Sequence, residues 1–203
     1  MIFSELISIV IDQLRIAHLN VTIMSTINLR QPKKQDAYAI HQLIAQCPPL
    51  DLNSIYTYLL LAEHHASTCV IAELDGGQLG GFISAYVHPN QTDTLFIWQV
   101  AVCVDARGCG LGQRMIQHLL QRPRLEPIRY LETTVGPANM ASRRMFARVA
   151  DSACAAVNES ALFDRSLFGP DGHEDERLIR IGPLSCAAGM VIESHTPIVH
   201  ALI

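Results

Sequence analysis

The sequence predicts a single α/β (α+β) domain with helices flanking a central sheet, and three observations carry that expectation. A chain of 203 residues, 49% of them hydrophobic, is long enough to close one substantial core. Thr94–Val104 (TLFIWQVAVCV) is apolar on both faces, the pattern of a central strand covered from each side. A glycine-rich turn, Arg107–Gly112 (RGCGLG), then leads into a helix whose Leu111, Met115, Ile116, Leu119 and Leu120 form one apolar face.

The other elements follow in order. A short apolar segment from Ile27 to Arg30 is the first strand, and Ala37, Ile40, Leu43, Ile44 and Cys47 recur at helical spacing until Pro48 and Pro49 stop them. A second helix is expected from about Leu52 to His65. Thr68–Leu74 and Gln78–Val87 read as two strands joined by a turn at Asp75–Gly77. Arg129–Thr134 is a further strand, Asn139 to about Ala150 a helix, and Arg177–Ile181 (RLIRI) a last short strand. Between 151 and 176 no element is assigned, although Phe163 and Phe168 suggest packing.

Composition narrows the function. A net charge of −4 with 17% charged residues supplies no basic face for nucleic acid, so a small molecule is the expected partner. The six cysteines lack C-x-x-C or structural-zinc spacing and read as reduced thiols of a cytoplasmic protein. His64, His65 and His173 have no partners at ligand spacing, so no metal is expected. No run of about 20 uncharged apolar residues is present, which argues against a membrane partner. The apolar start carries Glu5 where a signal peptide needs positive charge, and the chain reads as untargeted.

The turn from Arg107 to Gly112 carries the chemistry. Gly108, Gly110 and Gly112 let backbone N–H groups approach a ligand while the next helix points its positive end at the same place, a cradle suited to pyrophosphate, and by itself the turn also reads as a plain strand-to-helix connection. The glycines fall as G-x-G-x-G and no Gly-Lys-Ser/Thr ending is present, so the dinucleotide fingerprint and the P-loop are excluded. Arg107-x-x-Gly110-x-Gly112 after Val100–Val102 resembles the cofactor motif of GNAT acetyltransferases, and Asn139, Ser142 and Phe146 resemble that family's second motif. The resemblance implies one GNAT-fold domain with a central, mixed, mostly antiparallel sheet, and acetyl-CoA as cosubstrate. It places the pantetheine arm along Val100, Ala101 and Val102, the pyrophosphate on Arg107, Gly108, Cys109, Gly110, Leu111 and Gly112, and Asn139 against the cofactor. Many family members carry a tyrosine where this chain has Phe146, which cannot protonate the departing thiolate.

Longer stretches are similar to diaminobutyrate acetyltransferases: Cys47–Tyr56 (CPPLDLNSIY), Ala72–Gly77 (AELDGG), Asp93–Val102 (DTLFIWQVAV), Arg129–Thr134 (RYLETT) and Gly172–Pro183 (GHEDERLIRIGP). This resemblance implies acetyl transfer to the 4-amino group of L-2,4-diaminobutyrate, the step that makes the ectoine precursor used under osmotic stress, by a homodimer. It also implies a domain over residues 28–184, flanked by an extension, 1–27, and a tail, 185–203, with Met24 as an alternative start.

Chemistry independently limits the candidates. The attacking amine is protonated at neutral pH, so carboxylates or a polarised water must hold the ammonium and take its proton. Asp51, Glu132, Glu174 and Asp175 can do so. Asp51 also reads as a helix cap, and Glu174 and Asp175 as a solvated loop. Glu132 lies in an otherwise apolar strand, where an unpaired carboxylate is costly. Trp98 reads either as core or as an aromatic wall over the amine, and Tyr56 can add a hydroxyl. Glu132 and Trp98 are the catalytic candidates, with direct transfer and backbone N–H groups near Val100 stabilising the oxyanion. Cys47 has no histidine base beside it for an acyl-cysteine route. Two alternatives stay open: acetylation of another small amine, and an acetyl-CoA-binding regulatory module without catalysis.

Overall fold

The computed structural model describes residues 27–169 and 174–184. The segments 1–26, 170–173 and 185–203, and with them Met24, His173 and Cys186, lie outside the described residues. Strands β1 (Asn28–Arg30), β2 (Val70–Glu73), β3 (Leu79–Val87), β4 (Thr94–Val102), β5 (Tyr130–Val135), β6 (Val157–Phe163) and β7 (Glu176–Ile181) form one sheet in the order β1-β2-β3-β4-β5-β7-β6. Every neighbouring pair is antiparallel except β4–β5, so the sheet is mixed and mostly antiparallel, as expected.

Among the described residues four α-helices cover it: α1 (Ala37–Ala45), α2 (Ile55–His64), α3 (Leu111–Leu120) and α4 (Met140–Ser152). On one face, Met115, Ile116 and Leu119 of α3 and Phe146, Val149 and Ala150 of α4 bury against Val70, Ile83, Leu95, Ile97, Leu131, Ile179 and Ile181. Truncating one of the Leu, Ile or Met side chains to alanine removes about 2–5 kcal/mol of stability. On the other face, Ile40, Leu43 and Ile44 of α1 and Tyr58 and Leu61 of α2 pack on Ile71, Phe82 and Ala101. Strand residues of alternate parity thus enter two cores, which explains the doubly apolar central segment.

β4 is not a regular strand. Its register with β3 runs from Gly81↔Val102 to Ser84↔Gln99 and resumes at Ala85↔Ile97, leaving Trp98 as the extra residue of a β-bulge. The bulge reverses side-chain parity. Before it Leu95 and Ile97 enter the α3–α4 core; after it Val100 and Val102 pack there, while Ala101 enters the α1–α2 core.

Two expectations shift. The helix expected from Leu52 begins at Ile55 with Ser54 as N-cap. The preceding turn is held out of the helix by hydrogen bonds from Gln99 Nε2 to Asp51 O at 2.8 Å and from Asn53 N to Tyr58 Oη at 3.3 Å. The unassigned stretch contains β6, and every residue of that strand is exposed. A strand with neither face buried carries no apolar alternation by which to recognise it.

Candidate active site

The sheet parts at one point. β4 and β5 pair from Thr94↔Tyr130 to Ile97↔Thr133, and there the ladder ends although β4 runs on to Val102 and β5 to Val135. Beyond the Trp98 bulge the β5-facing edge of β4 carries backbone groups that β5 does not pair. Val100, Ala101 and Val102, expected to meet the pantetheine arm, lie on this stretch.

At the end of the parting strand stands the glycine turn. Gly110 is the N-cap of α3 with φ 78°, and Gly108 has the same positive φ. A Cβ built at Gly110 meets nothing within 4 Å, so the turn lies open, with its backbone accessible to a ligand. Leu111 and Gly112 are buried, so they present backbone rather than side chain. The Cys109 thiol donates to Ala106 O at 2.8 Å. Arg107 is folded back on the sheet: Nε donates to Val102 O at 3.0 Å and Nη2 contacts Cys47 Sγ at 3.6 Å. Asn139 caps α4, its side chain accepting from Ser142 N at 3.1 Å. An open glycine turn, a helix N-terminus and an unpaired strand edge in sequence fit a pyrophosphate followed by an amide-bearing arm.

α1 and α2 leave the β4–β5–β7 part of their face uncovered, and a cleft of about 1330 Å³ opens there. Asp51, Trp98, Glu132, Asn139 and Glu174 line it together. Glu132 is buried, and its Oε1 accepts a hydrogen bond from Arg180 Nη1 across the β5–β7 register pair Glu132↔Arg180. Trp98 is 43% exposed and belongs to the cleft wall rather than to the core. Glu174 Oε2 accepts from Ala138 N at 3.3 Å and lies only 2.8 Å from where a Cβ on Gly136 would stand, so the carboxylate approaches only because residue 136 has no side chain. Tyr56 is 66% exposed and stands outside the cleft lining, and Asp175 Oδ1 accepts from Arg165 N at 2.9 Å instead. Phe146 is buried against the α3 side of the sheet, away from the cleft.

Sequence reasoning missed four residues here. Tyr86 and Phe96 stack at 5.2 Å between centroids and form an aromatic wall beside Glu132. Burial, and then the Glu132 charge, push the Tyr86 phenol up, so it stays a neutral hydrogen-bond donor. Gln99 tethers the Asp51 turn, and Arg180 pairs with Glu132. Gln99 was detectable as the one amide in an apolar run; Arg180 was not, because nothing local marks its partner. Among the described residues no group of three or more His, Cys, Asp or Glu side chains could hold a metal ion.

A sheet that parts beside a phosphate cradle, with an acidic and aromatic cleft at the parting, is the frame of an acyl-CoA-dependent N-acetyltransferase. The chain belongs to the acetyltransferase (GNAT) family, whose model matches residues 37–150. Within it the chain is similar to the L-2,4-diaminobutyric acid acetyltransferases. It is 56% identical over 158 residues to that of Bordetella parapertussis, covering 78% of this chain and 85% of the relative. To that of Chromohalobacter salexigens it is 44% identical over 158 residues, covering 78% and 82%. A solved structure of diaminobutyrate acetyltransferase from Paenibacillus lautus, in complex with its substrate L-2,4-diaminobutyric acid and coenzyme A, superposes with TM-score 0.75 at 39% identity, covering 80% of this chain and 98% of that one.

Proposed function

We propose that this chain transfers the acetyl group of acetyl-CoA to the 4-amino group of L-2,4-diaminobutyrate, giving N4-acetyl-L-2,4-diaminobutyrate and CoA. One observation carries the reading: a cleft walled by Asp51, Trp98, Glu132 and Glu174 opens where β4 leaves β5, and the strand edge that leads on to the glycine turn is free of β5 from that point. The 56% identity to a relative with this activity points the same way.

Acetyl-CoA brings an activated thioester. The chain's own groups do the rest. Carboxylates at the cleft hold the diamine's ammonium, and Trp98, with Tyr86 and Phe96, offers aromatic faces that attract a cation. Only the 2-amino group sits beside the substrate carboxylate, so a site that clamps the amino-acid end leaves the 4-amino group free to reach the carbonyl. Glu132 takes the first ammonium proton, directly or through water; the N–C bond forms, the C–S bond breaks and CoA leaves as thiolate, and the second amine proton passes to that thiolate or to solvent. Backbone N–H groups of β4 near Val100 stabilise charge developing on the acetyl oxygen. Asn139 meets the cofactor, and the turn from Arg107 to Gly112 holds its pyrophosphate.

The enzyme works in the cytoplasm in ectoine biosynthesis under osmotic stress, as a homodimer, with residues 28–184 as the catalytic domain and both extensions dispensable. The exposed Val157, Leu162, Phe163 and Phe168 around the edge strand β6 support self-association. Thiol release compared among 2,4-diaminobutyrate, ornithine and lysine tests the substrate, and NMR of the product tests the position. Acetylation mainly at the 2-amino group would refute the assignment.

A further inference from the structure

Glu132 lies in a row that crosses the sheet from Tyr86 on β3 through Phe96 on β4 to Arg180 on β7. A carboxylate on that row is confined by its neighbours. Phe96 offers it nothing polar; Arg180 Nη1 donates to Oε1. Glu132 Oε2 accepts no hydrogen bond from the described residues. Oε2 is not among the sealed polar atoms of the core, and the carboxylate lines the cleft, so this oxygen is open to a donor brought by a ligand.

Arg180 itself is held from three directions. Its Nη1 also donates to Gln91 Oε1 at 3.0 Å, and its Cζ stands 4.0 Å above the Tyr130 ring. Gln91, Tyr130 and Glu132 come from the turn after β3 and from two alternate positions on β5, so the planar guanidinium has one orientation that serves all three. Arg180 is outside the cleft lining, whereas Glu132 is within it. The ion pair is correspondingly lopsided, with side-chain exposure of 28% for Arg180 and 7% for Glu132. A pair whose only task was stability gains little from burial of this kind, because desolvation offsets the attraction.

We infer that Arg180 is a positioning residue for the acetyl-transfer reaction: it fixes Oε1 of Glu132 from behind, so that Oε2 receives the ammonium of the diamine. The inference rests on the reading in which Glu132 meets the amine. Arg180 does not touch substrate. Losing it frees the carboxylate to rotate and weakens the amine site while the nucleotide cradle, built on β4 and α3, stays as it was.

Four full-length enzymes test this by steady-state thiol release, each checked for folding by circular dichroism: R180M, R180K, E132Q and R180M/E132Q. R180M should raise KM for 2,4-diaminobutyrate about tenfold, as loss of a charge-assisted contact does, and leave KM for acetyl-CoA within about twofold. R180K, which keeps one charged donor but not the fork, should recover part of that loss, and if R180M fails to fold its own selective rise in amine KM decides the matter. In the E132Q background R180M should add nothing beyond about twofold, because two residues acting through one contact are not additive. If E132Q behaves as wild type, the reading of Glu132 fails. If E132Q is impaired but Arg180 variants leave amine KM unchanged, or add in full to E132Q, the link between the two residues is overturned while that reading stands.

Discussion

Gln99 Nε2 donates to Asp51 O at 2.8 Å, joining the turn before α2 to the residue that follows the Trp98 bulge. Gln99 is buried, and its backbone N donates to Ser84 Oγ at 3.2 Å, so both ends of the tether are fixed. Two residues 48 positions apart thereby set the spacing between the Asp51 and Trp98 sides of the cleft. Gln99→Leu should lower stability by no more than about 1 kcal/mol, because the lost hydrogen bond to the part-buried Asp51 O is offset by removing Gln99 Oε1, which is buried without a donor among the described residues. It should also raise KM for the amine several-fold with KM for acetyl-CoA unchanged. Thermal unfolding and kinetics on the same sample check both, and an unchanged amine KM would show that the turn needs no tether.

Gly110→Val separates binding from folding. A Cβ at residue 110 has nothing within 4 Å, so the main cost to folding is the left-handed backbone strain of about 1–2 kcal/mol. A ligand seated on the turn would meet the new methyl groups directly, and calorimetric affinity for acetyl-CoA should fall by more than about tenfold. Unchanged affinity in a folded variant would remove the turn from the cofactor site.

Strong acid should weaken the hold of α4 on β6. Arg143, then Arg177, hold the Glu159 carboxyl at about 2, down from 4.5. Arg143 reaches both carboxylate oxygens at 3.1 Å and so clips α4 to β6. With the folded value depressed, the native state binds fewer protons than the unfolded chain in this window, so the contribution is present above pH 4.5 and lost as pH falls towards 2. The network is solvent-exposed and contributes no more than about 1 kcal/mol. Melting temperature against pH should therefore fall less steeply for Glu159→Gln than for wild type between pH 4.5 and 2.

Thiol labelling should follow burial. Desolvation pushes the Cys69 thiol up to about 11, so at neutral pH it holds almost no thiolate. Cys154 is exposed. A disulfide reagent applied to the native enzyme should modify Cys154 and spare Cys69, which should react only on unfolding. Mass spectrometry of the peptides decides; early labelling of Cys69 would mean that the region under Ala85 opens readily.

The sequence by itself determined the order of elements that makes the cradle: an apolar strand, Arg107–Gly112 and an amphipathic helix are neighbours in the chain, and their patterns are local. It also determined that Asp51, Trp98 and Glu132 were worth placing, since a turn carboxylate, a lone tryptophan and a charge within an apolar strand each stand out by type. What it could not reveal depends on register. TLFIWQVAVCV is apolar at both parities, so the reversal at Trp98 leaves no mark on the pattern, yet it puts Gln99 beside Trp98 on the cleft and turns Val100 to the core. Glu132 and Arg180 meet only because β5 pairs with β7, and Tyr56, close to Asp51 in sequence, is exposed outside the cleft lining once α2 is packed. Side-chain periodicity reports which way a residue faces along one strand, whereas the pairing of distant strands decides which residues share a row, and only folding sets that pairing.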